Sequence, residues 1–298
     1  MSISCPLCKS SRYIQLQEIE SSLIIDEYRR LLKMEVASFF ESDKVIICQC
    51  IECQLIYMLH GKPADSAFYA EIQKHPWYYE EDKPEFQYAI SKILQYHPSA
   101  ILEVGCGEGA FLKKIKTGYT VKGREYNESA IRKLKESGIE LDAPEDRYDF
   151  IVSFQVLEHV PDPGDFIQAC VDKLHDGGYL LFTVPNNDSK YIRESFQVLN
   201  LPPHHMTRWN KQALYRLGEI YRMDVVDYYE EPMRFIHYRG LIDARRRKLP
   251  LGDLFTGERK DDFRKIVASI DRVLAPYFFD HVNDPGHTHG ILLRKRPR

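Results

Sequence analysis

Cysteine spacing is the first chemistry this chain offers. Cys5-x-x-Cys8 and Cys50-x-x-Cys53 repeat one interval, the interval at which two knuckles wrap a tetrahedral metal ion. Five of the seven cysteines (Cys5, Cys8, Cys48, Cys50 and Cys53) lie in the first 53 residues, and clustered thiols in a reducing compartment point to metal before disulfides. The run CQCIEC allows two registers, and the one that mirrors the first pair uses Cys50 and Cys53. Four thiolates leave no open coordination position, so the expected zinc is structural. The spacer between the knuckles is longer than an ordinary ribbon allows, which predicts a helical insertion over about Glu18 to Phe40.

A second set sits mid-chain. ILEVGCGEG, residues 101–109, places Gly105, Gly107 and Gly109 directly behind an apolar run, with Glu103 inside it and Cys106 between the glycines. Glycine permits positive φ and lets a ligand touch the main chain without meeting a Cβ. The spacing is not G-x-G-x-x-G, which argues against a pyrophosphate cradle. Glu125 closes the next strand, TVKGREY, about twenty residues further on, where a carboxylate accepts both hydroxyls of a ribose. Loop and acid together favour a nucleoside ligand.

Positioning these groups takes an alternating scaffold. The pattern predicts a helix over Pro84–Tyr96 stopped by His97-Pro98-Ser99, a strand at AILEV and a helix from EGAFLKKIKT. TVKGREY is followed by a helix capped by Asn127 and closed by Gly138, then a short strand at GIELD and a buried one at YDFIVSFQ. PGDFIQACVDKLH reads as a helix closed by Gly177-Gly178. YLLFTVP is a strand, NKQALYRLGEIYR a helix, and MDVVDYYEE and THGILLRKR the last strands. Such alternation means a doubly wound, mostly parallel Rossmann-like α/β sheet. Three units are expected: a zinc-ribbon-like segment at 1–60, an aromatic-rich connector and lead-in helix at 61–97, and the α/β domain at 98–298.

ILEVGCGEGAFL, Glu125, YDFIVSFQVLEHVPDP and LHDGGYLLFTVPN together resemble the successive motifs of class I S-adenosylmethionine-dependent methyltransferases, over about residues 99–230. The resemblance implies that the loop of Glu103, Gly105, Cys106, Gly107 and Gly109 takes the methionine end of the cofactor. It also implies that Glu125 binds the ribose and that Phe154 and Gln155 line the cofactor. Adenine would lie near Leu141 to Ala143, with Asp142 as its contact, although ELDAPEDRYDF is shorter than the usual loop. Tyr126 and Phe154 supply aromatic faces for a sulfonium, and Tyr78 and Tyr79 either close over the cofactor or pack. CIECQLIYM resembles the second knuckle of zinc-ribbon-bearing methyltransferases of sugars and small metabolites, which implies an N-terminal cap over the acceptor site.

An oxygen acceptor needs a base, and histidine is the candidate. His159 follows the fourth strand in LEHVP, and His204 and His205 lie in NLPPHHMTRW after the fifth, on the same rim of the sheet. His237 lies in MRFIHY after the sixth strand, and His287 and His289 flank the last strand. The LPPHHMTRW loop resembles one that recurs in this methyltransferase subgroup.

Composition narrows the rest. At 44% hydrophobic, 29% charged and a net charge of −3, the chain has no global attraction to nucleic acid or anionic membrane. No apolar run approaches the roughly 20 residues of a membrane span, and the opening residues lack a signal-peptide layout, so a cytoplasmic location is expected. The expected partner is a small polar acceptor, a sugar or glycan precursor, with the oligomeric state left open. CPLC and GCGEG also resemble a zinc-bearing ribosomal RNA methyltransferase type, but residues 1–60 hold six Lys or Arg against eight Asp or Glu, which argues against RNA. A non-catalytic cofactor-fold protein is the other alternative. ARRRK at 244–248 reads as a solvated helix face.

Overall fold

Two sheets carry the chain, and both can be traced in the computed structural model, which describes residues 3–75, 78, 81–194, 197–234, 237 and 285–297. The N-terminal part comprises β1 (Tyr13–Glu20), α1 (Ser21–Leu32), β2 (Lys44–Cys50), β3 (Ile56–Leu59) and α2 (Ser66–Ile72). After α3 (Pro84–Tyr96) come β4 (Ala100–Val104), α4 (Ala110–Ile115), β5 (Thr120–Arg124), α5 (Glu128–Glu136), β6 (Glu140–Leu141) and β7 (Tyr148–Phe154). The chain continues through α6 (Pro163–Lys173), β8 (Leu174–Pro185), α7 (Lys190–Glu194), β9 (Thr207–Arg208), α8 (Lys211–Ile220), β10 (Met223–Pro232) and β11 (Pro285–Lys295). The segment ARRRK and Tyr79 lie outside the described residues.

The larger sheet has the order β10-β11-β8-β7-β4-β5-β6. Strands β6, β5, β4, β7 and β8 run parallel from one edge inward, and β11 and β10 close the other side antiparallel, which is the expected doubly wound α/β fold. Alternation along each strand sends neighbouring side chains to opposite layers. Ile101, Phe150, Val152 and Leu181 pack beneath α3 and α4 with Phe86, Ile93 and Phe111. Leu102, Ile151, Leu180 and Phe182 face the other layer, against Ile167, Leu214 and Trp209. Each such side chain contributes about 1.5–3 kcal/mol of burial. Asn127 caps α5 through Ala130 N at 3.0 Å, and Asn210 caps α8 through Ala213 N at 2.8 Å; a cap of this kind is worth about 1 kcal/mol.

Two local expectations need correction. The stretch Glu18–Phe40 is not one helix. Its start is the end of β1, paired antiparallel to β2, the helix begins only at Ser21, and the chain turns out of it at Lys33 with φ 59°. Pairing across the sheet outweighs the helical preference of a Glu-rich edge. Helix α6 likewise stops at Lys173, and Gly177-Gly178 lies inside β8. Leu174 already pairs with Tyr148. A Cβ on Gly178 would stand 2.9 Å from the carbonyl oxygen of His175 and 3.2 Å from that of Asp149, so this glycine permits a close backbone approach inside the strand.

The second sheet, order β1-β2-β3-β9, is antiparallel, and its last strand comes from the α/β half of the chain. Thr207 pairs with Tyr57 while the adjacent Trp209 bridges to Asn186 at the end of β8, so one short segment joins both sheets.

Candidate active site

The glycine turn forms as its spacing requires. Gly105, Gly107 and Gly109 adopt φ of 75°, 52° and 78°, and Gly109 is the N-cap of α4. A Cβ on Gly105 would lie 2.4 Å from Val156 Cγ2. Glu125 is drawn onto this turn. Its Oε2 accepts Gly107 N–H at 2.8 Å, and its Oε1 accepts Tyr126 N–H at 2.8 Å and Asn127 N–H at 2.9 Å. Tyr126 beside it is 86% exposed. Glu103 is buried beneath the turn, where burial drives its carboxyl well above the usual range, and its Oε2 has no hydrogen-bond partner among the described residues. Cys106 is buried, which pushes its thiol up and leaves it inert. Gln155, at φ 54° just past β7, turns its amide toward Glu85 and Thr288, each at 3.4 Å.

Two residues named from the resemblance are otherwise engaged. The Asp142 carboxylate takes Tyr148 Oη–H at 2.8 Å, Lys173 Nζ at 2.9 Å and Arg124 Nε at 3.0 Å. Burial works to raise its pKa, yet these three donors hold it below the ordinary value. Phe154 is buried between Phe86 and Phe111, both rings 4.9 Å away, and belongs to the core.

The histidines meet. Loop residues His204 and His205 stack with centroids 4.6 Å apart, and His159 stands edge-on at 4.4 and 4.8 Å from them. Nδ1 of His159 faces the His204 carbonyl at 2.6 Å, and Nδ1 of His204 faces that of Leu199 at 3.1 Å. Burial pushes His159 down to about 4, and drives His204 and His205 well below their ordinary value. All three are therefore neutral near pH 7. Among them His159 keeps the most exposure, 16% of its side chain. Glu158, adjacent in sequence, is buried and raised to about 8 by that burial. His237 and His287 form a separate pair with centroids 6.0 Å apart, and His289 donates or accepts at Tyr228 Oη, 2.9 Å away.

Helix α2 covers the gap between turn and histidines, a role that its aromatic but aperiodic sequence did not announce. Tyr69 stands 6.0 Å edge-on from His159 and lies within electrostatic reach of both Glu158 and Glu125. Phe68 packs 5.9 Å from His204, and Tyr78 Oη sits 3.3 Å from His204 Nε2. Cap residue Asp65 fixes the helix through Phe68 N at 2.9 Å.

At the other end of the small sheet, Cys5, Cys8, Cys50 and Cys53 bring their sulfurs within 4.8 Å of one another, the closest pairs (Cys5–Cys53 and Cys8–Cys50) at 3.5 Å. Zinc–sulfur bonds of about 2.3 Å in a tetrahedron set sulfurs about 3.8 Å apart, so the group fits. Cys48 is buried outside this group. The knuckles dock on the α/β layer: a Cβ on Gly164 would stand 3.0 Å from the Pro6 and Leu7 carbonyls, and Arg216 Nε donates to Glu52 O at 3.1 Å.

A family model described as a methyltransferase domain matches residues 78–226, half of the 298. The chain belongs to the methyltransferase-domain family. Curated relatives include a ubiquinone biosynthesis O-methyltransferase of Thiobacillus denitrificans, 33% identical over 106 residues, 30% of this chain and 46% of that one. The protein of that name from Shewanella pealeana is 30% identical over 111 residues, covering 32% and 47%. The chain spans about half the length of these curated relatives. A solved S-adenosylmethionine-dependent methyltransferase from Clostridium acetobutylicum aligns over 78% of this chain and 99% of its own, at 9% identity and TM-score 0.46. In this methyltransferase domain no described helix is long and apolar enough to cross a membrane.

Proposed function

We propose that this methyltransferase-domain protein moves a methyl group from S-adenosylmethionine to an oxygen of a small molecule. The observation that carries this reading is the placement of Tyr69 between Glu125 on the glycine turn and His159 on the histidine rim. Glu125 would take the ribose hydroxyls. The main chain of Gly105–Gly109 would take the methionine end, with Glu103 Oε2, unpartnered among the described residues, beneath it. When bound, the cofactor supplies an electrophilic methyl on a sulfonium.

The chain's own residues align and deprotonate. An acceptor hydroxyl held against the rim by His159 and Tyr69 gives up its proton there. Its oxygen then forms the O–C bond while the C–S bond breaks, and the bonding pair stays on sulfur as a thioether. Alignment is the larger share of the rate, and proton removal adds typically about 10²–10⁴-fold. We read the four cysteines as a structural zinc site. It fixes one end of the small sheet on the α/β layer, while α2 at the other end covers the acceptor.

The shared name of the curated relatives supports oxygen methylation and points to an intermediate of ubiquinone assembly. The polar lining of His159, His204, Tyr69 and Tyr78 suits a sugar or other hydroxylated metabolite equally. Label transfer from methyl-labelled S-adenosylmethionine to a panel holding both classes tests this. Label in an ether of one class supports the reading, and label appearing only on nitrogen or carbon overturns it.

A further inference from the structure

Behind the acceptor position, four side chains converge with lone pairs and too few donors. Nδ1 of His159, His204 and His205 each faces an oxygen that only accepts: the His204 carbonyl, the Leu199 carbonyl, and Asn200 Oδ1 at 2.8 Å. A neutral ring in that setting carries its proton on Nδ1 and leaves Nε2 as the acceptor, bonded at His204 only by the Tyr78 hydroxyl at 3.3 Å. One ring nitrogen from each histidine lies within 4.8 Å of the others. Glu158 is 1% exposed; its Oε1 stands 3.9 Å from His159 Nε2, and its Oε2 has no partner among the described residues. A cavity of about 10 Å³ lies on the Glu158 and His205 side of this group, walled by Asn200, Pro185 and Trp209 and not by His159 or His204, and a volume near 10–15 Å³ is about that of one water-sized occupant. Arg208 shares the cavity but turns two N–H donors to Asn200 O, at 3.0 and 2.9 Å.

We propose that His159, His204 and His205, with the Glu158 carboxylate beside His159, form a second metal site, separate from the cysteines, for a divalent transition ion such as Zn²⁺. The donor chemistry selects the class: imidazole nitrogens suit zinc, iron, nickel and copper, and an all-oxygen set would be needed for magnesium or calcium. The outward Nδ1–H bonds have the form of the second layer around metal-bound histidines, which fixes the tautomer and turns Nε2 to the ion. Three neutral nitrogens and one carboxylate leave one positive charge on a divalent ion, which an acceptor oxyanion cancels. Such an ion lowers the pKa of a coordinated oxygen acid, as it takes bound water from 15.7 to about 7. With the His159 lone pair on the ion, the acceptor proton leaves to solvent instead of to the rim, and the oxygen keeps its electron pair for the methyl carbon. This rests on the reading of the rim as the acceptor site.

The test uses the full chain, stripped by chelator, reloaded with Co²⁺ alone and desalted. About two cobalt ions per chain are expected, one with a thiolate-to-metal charge-transfer band and one without. In the double variant His159→Ala, His205→Ala the count falls to about one and the thiolate band stays. Should that variant fail to fold, the wild-type count still decides. A wild-type chain that holds one cobalt, with the thiolate band only, overturns the proposal. Titrating S-adenosylmethionine into the same sample separates the two failures. Normal cofactor binding with one metal leaves the methyl-transfer reading intact, and absent cofactor binding sinks that reading whatever the metal count.

Discussion

Glu125 Oε2 accepts the backbone N–H of Gly107 at 2.8 Å, so the acid that follows β5 is tied to the turn that follows β4. Adjacent parallel strands bring the two together: Val104 pairs with Arg124, and the chains leave the sheet side by side. Three backbone donors already orient this carboxylate, and the ribose hydroxyls would meet it preset.

Glu125→Ala should therefore weaken S-adenosylhomocysteine binding by about 1.5–3 kcal/mol, the worth of hydrogen bonds to a charged acceptor. Gly107→Val should bind none, since a β-branched residue at φ 52° strains the turn. Calorimetry that found wild-type affinity in both would contradict the assignment of the turn.

The cysteine register has its own check. Cys53→Ser should lose zinc and loosen the knuckles, whereas Cys48→Ser, outside the four-sulfur group, should keep it. Structural zinc is worth on the order of 10–16 kcal/mol of apparent binding free energy in small units, so partial retention is not expected. Metal analysis showing equal loss in both variants would return the choice to Cys48.

Asp142→Asn distinguishes a structural acid from an adenine contact. Breaking its partnership with Arg124 and Lys173 should cost about 3 kcal/mol of stability, while cofactor affinity stays within a few-fold. The sign with pH follows from the depressed native pKa. Its stabilisation is present above the unfolded value of about 4 and fades as pH falls through the lower native one. Denaturant melts of the variant should lack that part of the acid slope. A large loss of cofactor affinity with unchanged stability would reinstate Asp142 as a ligand.

What the sequence carried openly was local. The glycine turn, the Asn127 cap and the repeated C-x-x-C interval each depend on residues a few positions apart, and each is formed. What it concealed was long-range pairing. Nothing in YIQLQEIE announces an edge strand until β2 is beside it, and LHDGG looks like a helix end until Leu174 meets Tyr148. Tyr69 was hidden for the same reason: α2 has no marked apolar period, and only the fold sets it between the glycine turn and the histidines. Phe154 shows the reverse case, a strand-end aromatic whose neighbours on α3 and α4 claim it for the core.

Tyr69→Phe tests the bridging position. The ring stays, so folding and cofactor binding should hold, while kcat/KM for the acceptor falls about tenfold, the scale of one neutral hydrogen bond. An unchanged kcat/KM would reduce Tyr69 to packing.

The crystal structure of the chain with S-adenosylhomocysteine bears most directly on the proposed active site. The expected result has both ribose hydroxyls on Glu125, the amino-acid end along Gly105–Gly109, and the sulfur open toward Tyr69 and His159. A ligand bound away from that turn, or a sulfur walled off from the histidines, would contradict it.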